Sequence, residues 1–445
     1  MRLFNNSLKL DIYDLNYSIS SEKINILGYI EKPGKGLIIR VMVFFREMLK
    51  SLFYVKKKNF RRITHGTPLF LVFSKNQHDA IYPIISKLKN CIYLGIDNYG
   101  EYRFPLTTAY ILSIIFFPIV FKHFLNAKGY HKKSFQHFFE HYWLTYGYYL
   151  QCRRILKFVK PSIVVVVNDH LMYARALVLA AKQANIKTLY LQHASVSGKF
   201  PRLFFDYAFL DGNDSLNKYA VNGYSDTKIF LTGFPKFDRS LKCYNQKSIV
   251  ENVGICIATL EEESEIEDLC KKLKSESINL NFSIRPHPSD KRIGIWKDLA
   301  ATYNFSYSNS REESSFDFLQ KVDVIISGES NILLEAVLMN VYPIYYDYSS
   351  TKIKDMYEFV RNGLVDEPVK TIDALLLILK RIITNRPFIR ERAKYYNAVI
   401  NTKYDGNSLG LVVQLINTIS SLEKLPDIWK RFKNTTGLEV YELKS

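Results

Sequence analysis

From Pro161 onward the chain repeats one pattern: a short run of β-branched or aromatic residues, a polar turn, an amphipathic helical stretch, then another apolar run. "PSIVVVV" (161–167) is followed by "MYARALVLAAKQA" and "KTLYLQ" (187–192), with further runs at "FDYAFL" (205–210) and "KIFLTG" (228–233). Continuous apolar runs of this length suit strands buried on both faces, and a helix between two of them suits a parallel crossover. The pattern predicts an α/β chain with doubly wound sheets. A less regular unit precedes it, "TPLFLVF" (67–73), a helical stretch near 79–87 and "CIYLGI" (91–96).

After the polar stretch "DRSLKCYNQKS" a second series begins. It runs through "VGICIA" (253–258), the helical "EEESEIEDLCKKLKSES", "LNFSIR" (280–285), "YNFSYS", "DVIIS" (323–327), "NILLEAVLM" and "YPIYYD". A chain of 445 residues exceeds one ordinary core, so two domains with appendages are expected. The boundaries read as a basic, membrane-associating lead-in at 1–65, a first domain at 66–235 with a helical insertion at 105–158, a second domain at 236–405, and helices crossing back at 406–445.

The net charge of +18, with 31 Tyr and 30 Phe, fits a protein that meets anionic partners such as lipid headgroups, nucleotide phosphates, acidic polysaccharide or nucleic acid. Five cysteines without CxxC spacing support neither a zinc site nor a disulfide framework, which points to a reducing, cytoplasmic location. The N-terminus lacks the apolar stretch and cleavage site of a signal peptide. Two segments are apolar enough to be either core helices or membrane-contacting ones: "GLIIRVMVFFREMLKSLFYVKKK" (36–58), which ends in a lysine run, and "TTAYILSIIFFPIVFKHFL" (107–125), which Pro118 and Lys122 interrupt. His131, His137 and His141 share one segment, but no third ligand accompanies the i, i+4 pair, so no metal site is expected.

Four motifs leave the ends of these strands. Gln192-His193 opens the small, polar loop "ASVSG" before Lys199; a histidine there suits a general base for an acceptor hydroxyl, with Ser195, Lys199 and Asp211 as further acceptor-side groups. Asp169-His170, after "VVVVN", is an alternative base. Gly233-Phe234-Pro235 lets the backbone approach a ligand closely or forms a hinge turn. In "RPHP", Pro286 and Pro288 hold His287 rigidly beside Arg285, a pairing suited to a diphosphate. In "SGESNILLEA", Ser327, Gly328, Glu329, Ser330 and Asn331 open a helix whose amides suit phosphate, and Glu335 lies one turn in, within reach of a sugar hydroxyl. Open α/β sheets bind ligands at such strand ends, so a phosphate-bearing substrate is expected.

At these residues the chain resembles the CDP-glycerol glycerophosphotransferase-like family, which includes teichoic-acid and capsule polymerases. "LQHASVSGKFP", "LTGFPKFD", "RPHP" and "ISGESNILLEAVLMNVYPIYYD" are similar in order to that family's motifs, over roughly residues 160–350. Ala194, Lys236 and Gly328-Glu329 depart from its usual glycine, arginine and Asp-Tyr pair. The resemblance implies two Rossmann-like doubly wound domains (GT-B) with a cleft between them. It also implies His193 as acceptor-activating base, His287 with Arg285 on the donor phosphates, and Ser327, Ser330 and Asn331 at the nucleotide diphosphate.

These features together lead to an inverting glycosyltransferase that moves a sugar from a nucleotide-activated donor to a glycan or lipid-linked glycan acceptor in capsule, lipopolysaccharide or teichoic acid. It is expected to need no cofactor and no metal, since the chain contains no Asp-x-Asp, and to work at the cytoplasmic face of an anionic membrane. The alternatives are a polyol-phosphate transferase using CDP-glycerol or CDP-ribitol, a nucleotide-sugar epimerase, and a non-enzymatic nucleic-acid-binding protein. The last has only charge and aromatics behind it and no recognised nucleic-acid motif.

Overall fold

The computed structural model describes residues 10–24, 36–53, 64–96, 99–276, 279–350 and 355–444. The chain divides into two compact units, Met1–Lys236 with Ser408–Ser445, and Phe237–Asn407.

In the first unit the apolar runs become parallel strands: β1 (Leu69–Val72), β2 (Ile92–Gly95), β3 (Tyr102–Arg103), β4 (Ile163–Val166), β5 (Lys187–Leu191), β6 (Tyr207–Leu210) and β7 (Lys228–Leu231). They lie in the order β7-β6-β5-β4-β1-β2-β3. The chain builds outward from β1 to β3 and then returns to pair β4 with the other side of β1, Leu69 facing Val164. The strand order therefore reverses between β1 and β4. Every residue of β1, β2 and β4 is buried, which is why these runs carry no polar alternation.

Helices supply the rest of this unit. The long helix Gly129–Val159 packs against Leu106–Ile114, Met172–Gln183 and Leu37–Leu52. Phe44 and Trp143 stack face to face at 3.8 Å where Leu37–Leu52 meets it. That helix buries Phe44 and leaves Ile38, Met42, Phe45, Leu49 and Leu52 exposed. It accounts for most of the apolar segment 36–58, whose residues 54–58 lie outside the described residues. Among the described residues no single helix is long and apolar enough to cross a membrane. The segment 107–125 forms Leu106–Ile114 and Phe117–Asn126, which together pass a length and composition test for a span but bend by 71° at their junction.

The second unit holds β8 (Asn252–Ile257), β9 (Asn281–Pro286), β10 (Ser306–Tyr307), β11 (Val324–Ser327) and β12 (Tyr342–Tyr345). All are parallel, in the order β10-β9-β8-β11-β12. Its order reverses between β8 and β11. The helix Ile293–Tyr303 stops at Asn304, which adopts the left-handed conformation at φ 57° and turns the chain into β10.

Where the sequence suggests only helices after residue 405, the chain forms one helix, Ser408–Ser421, and then a hairpin of β13 (Trp429–Lys433) and β14 (Glu439–Leu443). β14 joins the first unit's sheet beside β7, with Tyr441 stacked on Phe230 at 4.4 Å. The outermost strand carries Lys430, Arg431 and Lys433, charges that keep a sheet edge from pairing further.

Candidate active site

Each unit has its own cluster of polar residues at the carboxyl ends of its strands. In the first unit the cluster sits beside the reversal at β1 and β4, extended by the ends of β5 and β6. Past β4, the Asn168 side chain accepts from the backbone amides of His170 (3.1 Å) and Leu171 (2.7 Å), a local turn that starts the helix Met172–Gln183. The turn presents Asp169 inward at 1% exposure. Its carboxylate accepts from the Tyr219 hydroxyl at 2.8 Å and lies 2.8 Å from His170 Nδ1. Arg175 clamps the turn from below, donating to the Asp169 carbonyl at 2.8 Å and to the Asp14 side chain at 2.5 Å.

Gln192 fixes the next loop. Its side-chain oxygen accepts from the Asp211 amide at 3.0 Å and its amide nitrogen donates to the Ala194 carbonyl at 3.1 Å, so the end of β5 is tied both to β6 and to its own turn. His193, held between these contacts, has a buried Nδ1 with no partner. Burial pushes its pKa down to about 4, against the pull of Asp169 and a hydrogen bond with the Val167 backbone, while His170 and Lys236 add to the lowering. The imidazole is therefore neutral at physiological pH, with a carboxylate close enough to favour its charged form. Asp211 goes the other way: burial, reinforced by Asp214, raises its pKa well above the carboxylate range and favours its neutral form.

Ser195 and Lys199 are exposed on the loop that follows. That loop is strapped to the N-terminal segment, where the Tyr17 hydroxyl donates to the Lys199 carbonyl at 3.2 Å. Gly233, two residues beyond β7, has φ +74°, a conformation that glycine adopts without strain. The structure thus brings Asp169, His170, Gln192, His193 and Asp211 onto three neighbouring strand ends.

In the second unit, Arg285 is 5% exposed and its donors are engaged internally. Nη1 donates to Ser308 Oγ at 2.6 Å and Nη2 to the Glu313 carbonyl at 2.8 Å, with the Glu313 carboxylate 3.5 Å away. His287 stands exposed after Pro286, its backbone amide held by the Ile257 carbonyl at 2.7 Å. Its Nδ1 lies 2.7 Å from Ser289 Oγ and 3.2 Å from the Ser289 amide nitrogen, so Ser289 fixes the ring orientation. Its pKa is lowered by partial desolvation, against the pull of Asp290.

At the reversal between β8 and β11, Ser327 is fully buried and its Oγ has no partner. Gly328 follows, and a side chain there would begin 2.4 Å from Oε1 of Glu261. Glu261 lies on the loop after β8, 1% exposed, with Oε2 unpartnered. Burial raises its pKa to about 7, against backbone amides of its own loop and Arg292. Glu329 takes the Tyr357 amide at 2.9 Å and the Tyr345 hydroxyl at 3.3 Å. Ser330 and Asn331 precede a helix of only seven residues, Ile332–Leu338, with Glu335 in its first turn. Neither glutamate 261 nor its pairing with Gly328 is visible in the motifs. In sequence it is the first of three consecutive glutamates, and only its place one loop beyond β8 marks it.

Among the described residues no group of three or more His, Cys, Asp or Glu is arranged to hold a metal ion. His131 packs against Tyr13 with ring centroids 4.1 Å apart, and His137 is buried.

No family model and no curated protein matches the sequence. Solved structures do match. A UDP-GlcNAc 2-epimerase from Neisseria meningitidis bound to UDP-GlcNAc superposes with a TM-score of 0.54 at 14% identity, covering 79% of this chain and 100% of its own. Another UDP-N-acetylglucosamine 2-epimerase gives 0.50 at 12% identity over 82% and 99%. The wall teichoic acid polymerase TagF gives 0.47 at 13% identity over 86% and 97%. At such identities the epimerase likeness is one of fold: two Rossmann-like α/β domains of the GT-B type.

Proposed function

We propose that the chain is an inverting, metal-independent glycosyltransferase that moves a sugar from a nucleotide-activated donor onto a bacterial-type surface polysaccharide. The observation that carries this reading is the neutral His193 imidazole, its buried Nδ1 without a partner and Asp169 close by, at the strand ends where a doubly wound sheet binds its ligand. In the reaction, an acceptor hydroxyl oxygen bonds to the anomeric carbon while the bond from that carbon to the donor phosphate breaks, its electron pair leaving with the nucleotide. The hydroxyl proton passes to His193, and Asp169 stabilises the imidazolium so formed. Attack opposite the leaving group inverts the anomeric centre.

On the donor side, we assign His287 and the Ser330–Asn331 turn to the departing diphosphate, and Ser327 and Glu261 to hydroxyl or amine groups of the nucleotide. Arg285 ties the end of β9 to Ser308 and Glu313, and Arg311 braces the turn that carries His287 by donating to the Pro288 and Asp290 carbonyls. The acceptor classes are those expected from the sequence: capsule, lipopolysaccharide or teichoic acid, free or lipid-linked.

A second reading, a nucleotide-sugar epimerase, draws on the epimerases among the structures of similar fold. One experiment separates them. The protein is incubated in excess chelator with CMP-, CDP-, UDP- and GDP-activated sugars and with CDP-glycerol, each with and without acceptor glycan. Transfer to acceptor supports the proposal; isomerised donor without acceptor makes it an epimerase; consumption of CDP-glycerol alone makes it a polyol-phosphate transferase; activity regained only on adding magnesium or manganese removes the metal-independent mechanism.

A further inference from the structure

The strongest unassigned feature lies in the first unit, away from the strand ends. Arg153, Arg154 and Lys157 are exposed on one face at the C-terminal end of the long helix Gly129–Val159, and Lys160 is its cap. At i, i+1, i+4 and i+7 they occupy an arc of about 120° on the helix surface. They line a groove of about 740 Å³, large enough for a lipid headgroup and the start of its chains. No carboxylate lines that groove; Arg153 hydrogen-bonds the Tyr149 hydroxyl, and no ion pair to a carboxylate is seen for the four cations among the described residues.

The remaining lining is apolar. Leu112, Ile115 and Phe116 come from the 71° elbow between Leu106–Ile114 and Phe117–Asn126, and Leu150 from the long helix itself. Large aliphatic groups stand in solvent around the elbow: Ile111 at 55%, Ile114 at 41% and Ile115 at 54% exposure. The neighbouring helix Leu37–Leu52, which packs on Leu106–Ile114, adds its own exposed face of Ile38, Met42 and Leu49. A helix dipole favours a cation in its last turn, which accounts for Lys157. It accounts neither for Arg153 and Arg154 more than a turn from the end nor for an exposed apolar elbow beside them. Cations with no carboxylate beside them, bordering an apolar trough, complement an amphiphile whose head is an anionic phosphate.

We propose that this groove docks the phosphate headgroup of an anionic phospholipid at a bilayer surface, with the elbow residues entering the interface. The site is independent of the transferase reading, because its test measures no turnover.

The test is flotation of the full chain with vesicles of phosphatidylcholine alone and of phosphatidylcholine mixed with phosphatidylglycerol. The expected result is partition onto the anionic vesicles only, weakened by salt. Replacing Arg153, Arg154 and Lys157 together by Gln is expected to weaken partition roughly hundred-fold, since each basic group near an anionic surface contributes about a factor of five. Replacing the exposed Lys271, Lys274 and Lys297 of the second unit by Gln removes the same charge and is expected to change it only a few-fold. Equal losses in the two triple variants would overturn the proposal in favour of bulk electrostatics. Full competition by inorganic phosphate would overturn it in favour of a free-phosphate site. Ile115→Ser, at an exposed position, is expected to weaken partition several-fold; unchanged partition would remove the elbow from the proposal. Thermal unfolding of each variant establishes that it is folded before partition is read.

Discussion

The carboxylate of Glu261 lies against the α-carbon of Gly328, so close that any side chain at 328 would start 2.4 Å from Oε1. Both residues are buried at the reversal of strand order in the second unit. Gly328→Ala must push the carboxylate out of its place, and overpacking of this kind costs about 1–3 kcal/mol. Glu261→Ala on its own opens the space, so the double variant is expected to recover most of the loss. A urea-denaturation cycle over the two singles and the double checks this, and strictly additive effects would mean that the two residues do not press on each other.

Glu261 also makes stability depend on pH. Its folded pKa, about 7, is raised above the ordinary carboxyl value by burial. The folded state therefore holds a proton that the unfolded state releases between pH 4.5 and 7, and stability falls as pH rises through that window. The full penalty, on the order of 3 kcal/mol, is reached above pH 7. Glu261→Gln is expected to be the more stable protein at pH 8 and to lose that advantage at pH 4. His193 has the opposite sign: its depressed pKa, about 4, makes stability rise with pH between 4 and 6.5. It is present in both proteins and cancels in the difference between their urea midpoints.

For the proposed reaction, the same depression puts the acid limb of the kcat/KM profile attributable to His193 near pH 4 rather than 6.5. His193→Ala is expected to lower turnover by about 10²–10⁴-fold with nucleotide affinity unchanged. Turnover at the wild-type level would move the base to another group, with Asp169 the first to examine.

Much of the fold is legible in the sequence itself, and the physical reason is burial. "IVVVV" and "VIIS" carry no polar alternation because helices cover both faces of those strands, so strand identity and parallel sense are written in the residues themselves. The strand-end motifs followed from the same logic. The hairpin Trp429–Leu443 escaped because its outer strand is only five residues long and mostly basic and exposed, with Lys430 and Arg431 in succession breaking any apolar alternation. Glu261 escaped because three successive glutamates look like a solvated turn, while the fold buries the first and exposes Glu262 and Glu263. The engagement of Arg285 depends on Ser308 and Glu313, 23 and 28 residues away, and no local pattern encodes it.

Tyr219 holds the first cluster together by donating to Asp169 Oδ2 at 2.8 Å. Tyr219→Phe leaves a buried carboxylate short of one partner and is expected to cost about 1–3 kcal/mol. Because the less-satisfied carboxylate draws more strongly on the imidazole beside it, the acid limb of the rate profile is expected to move upward in pH. A stability loss with an unmoved limb would confine Tyr219 to a structural role.

Arg285 offers the sharpest separation of bracing from donor binding. Its guanidinium forks between Ser308 Oγ and the Glu313 carbonyl, and a lysine ammonium cannot span both acceptors in that geometry. Arg285→Lys is expected to lower stability by about 2–4 kcal/mol, since hydrogen bonds to charged groups contribute roughly 1.5–3 kcal/mol each. Nucleotide affinity, measured by calorimetry at a temperature where the variant remains folded, should change less than about threefold, because a factor of ten requires only 1.4 kcal/mol of lost contact. Glu313→Gln, which keeps the carbonyl acceptor but removes the charge 3.5 Å away, should be milder in stability and equally silent in binding. Weakened nucleotide affinity with unchanged stability would place the guanidinium on the donor phosphates.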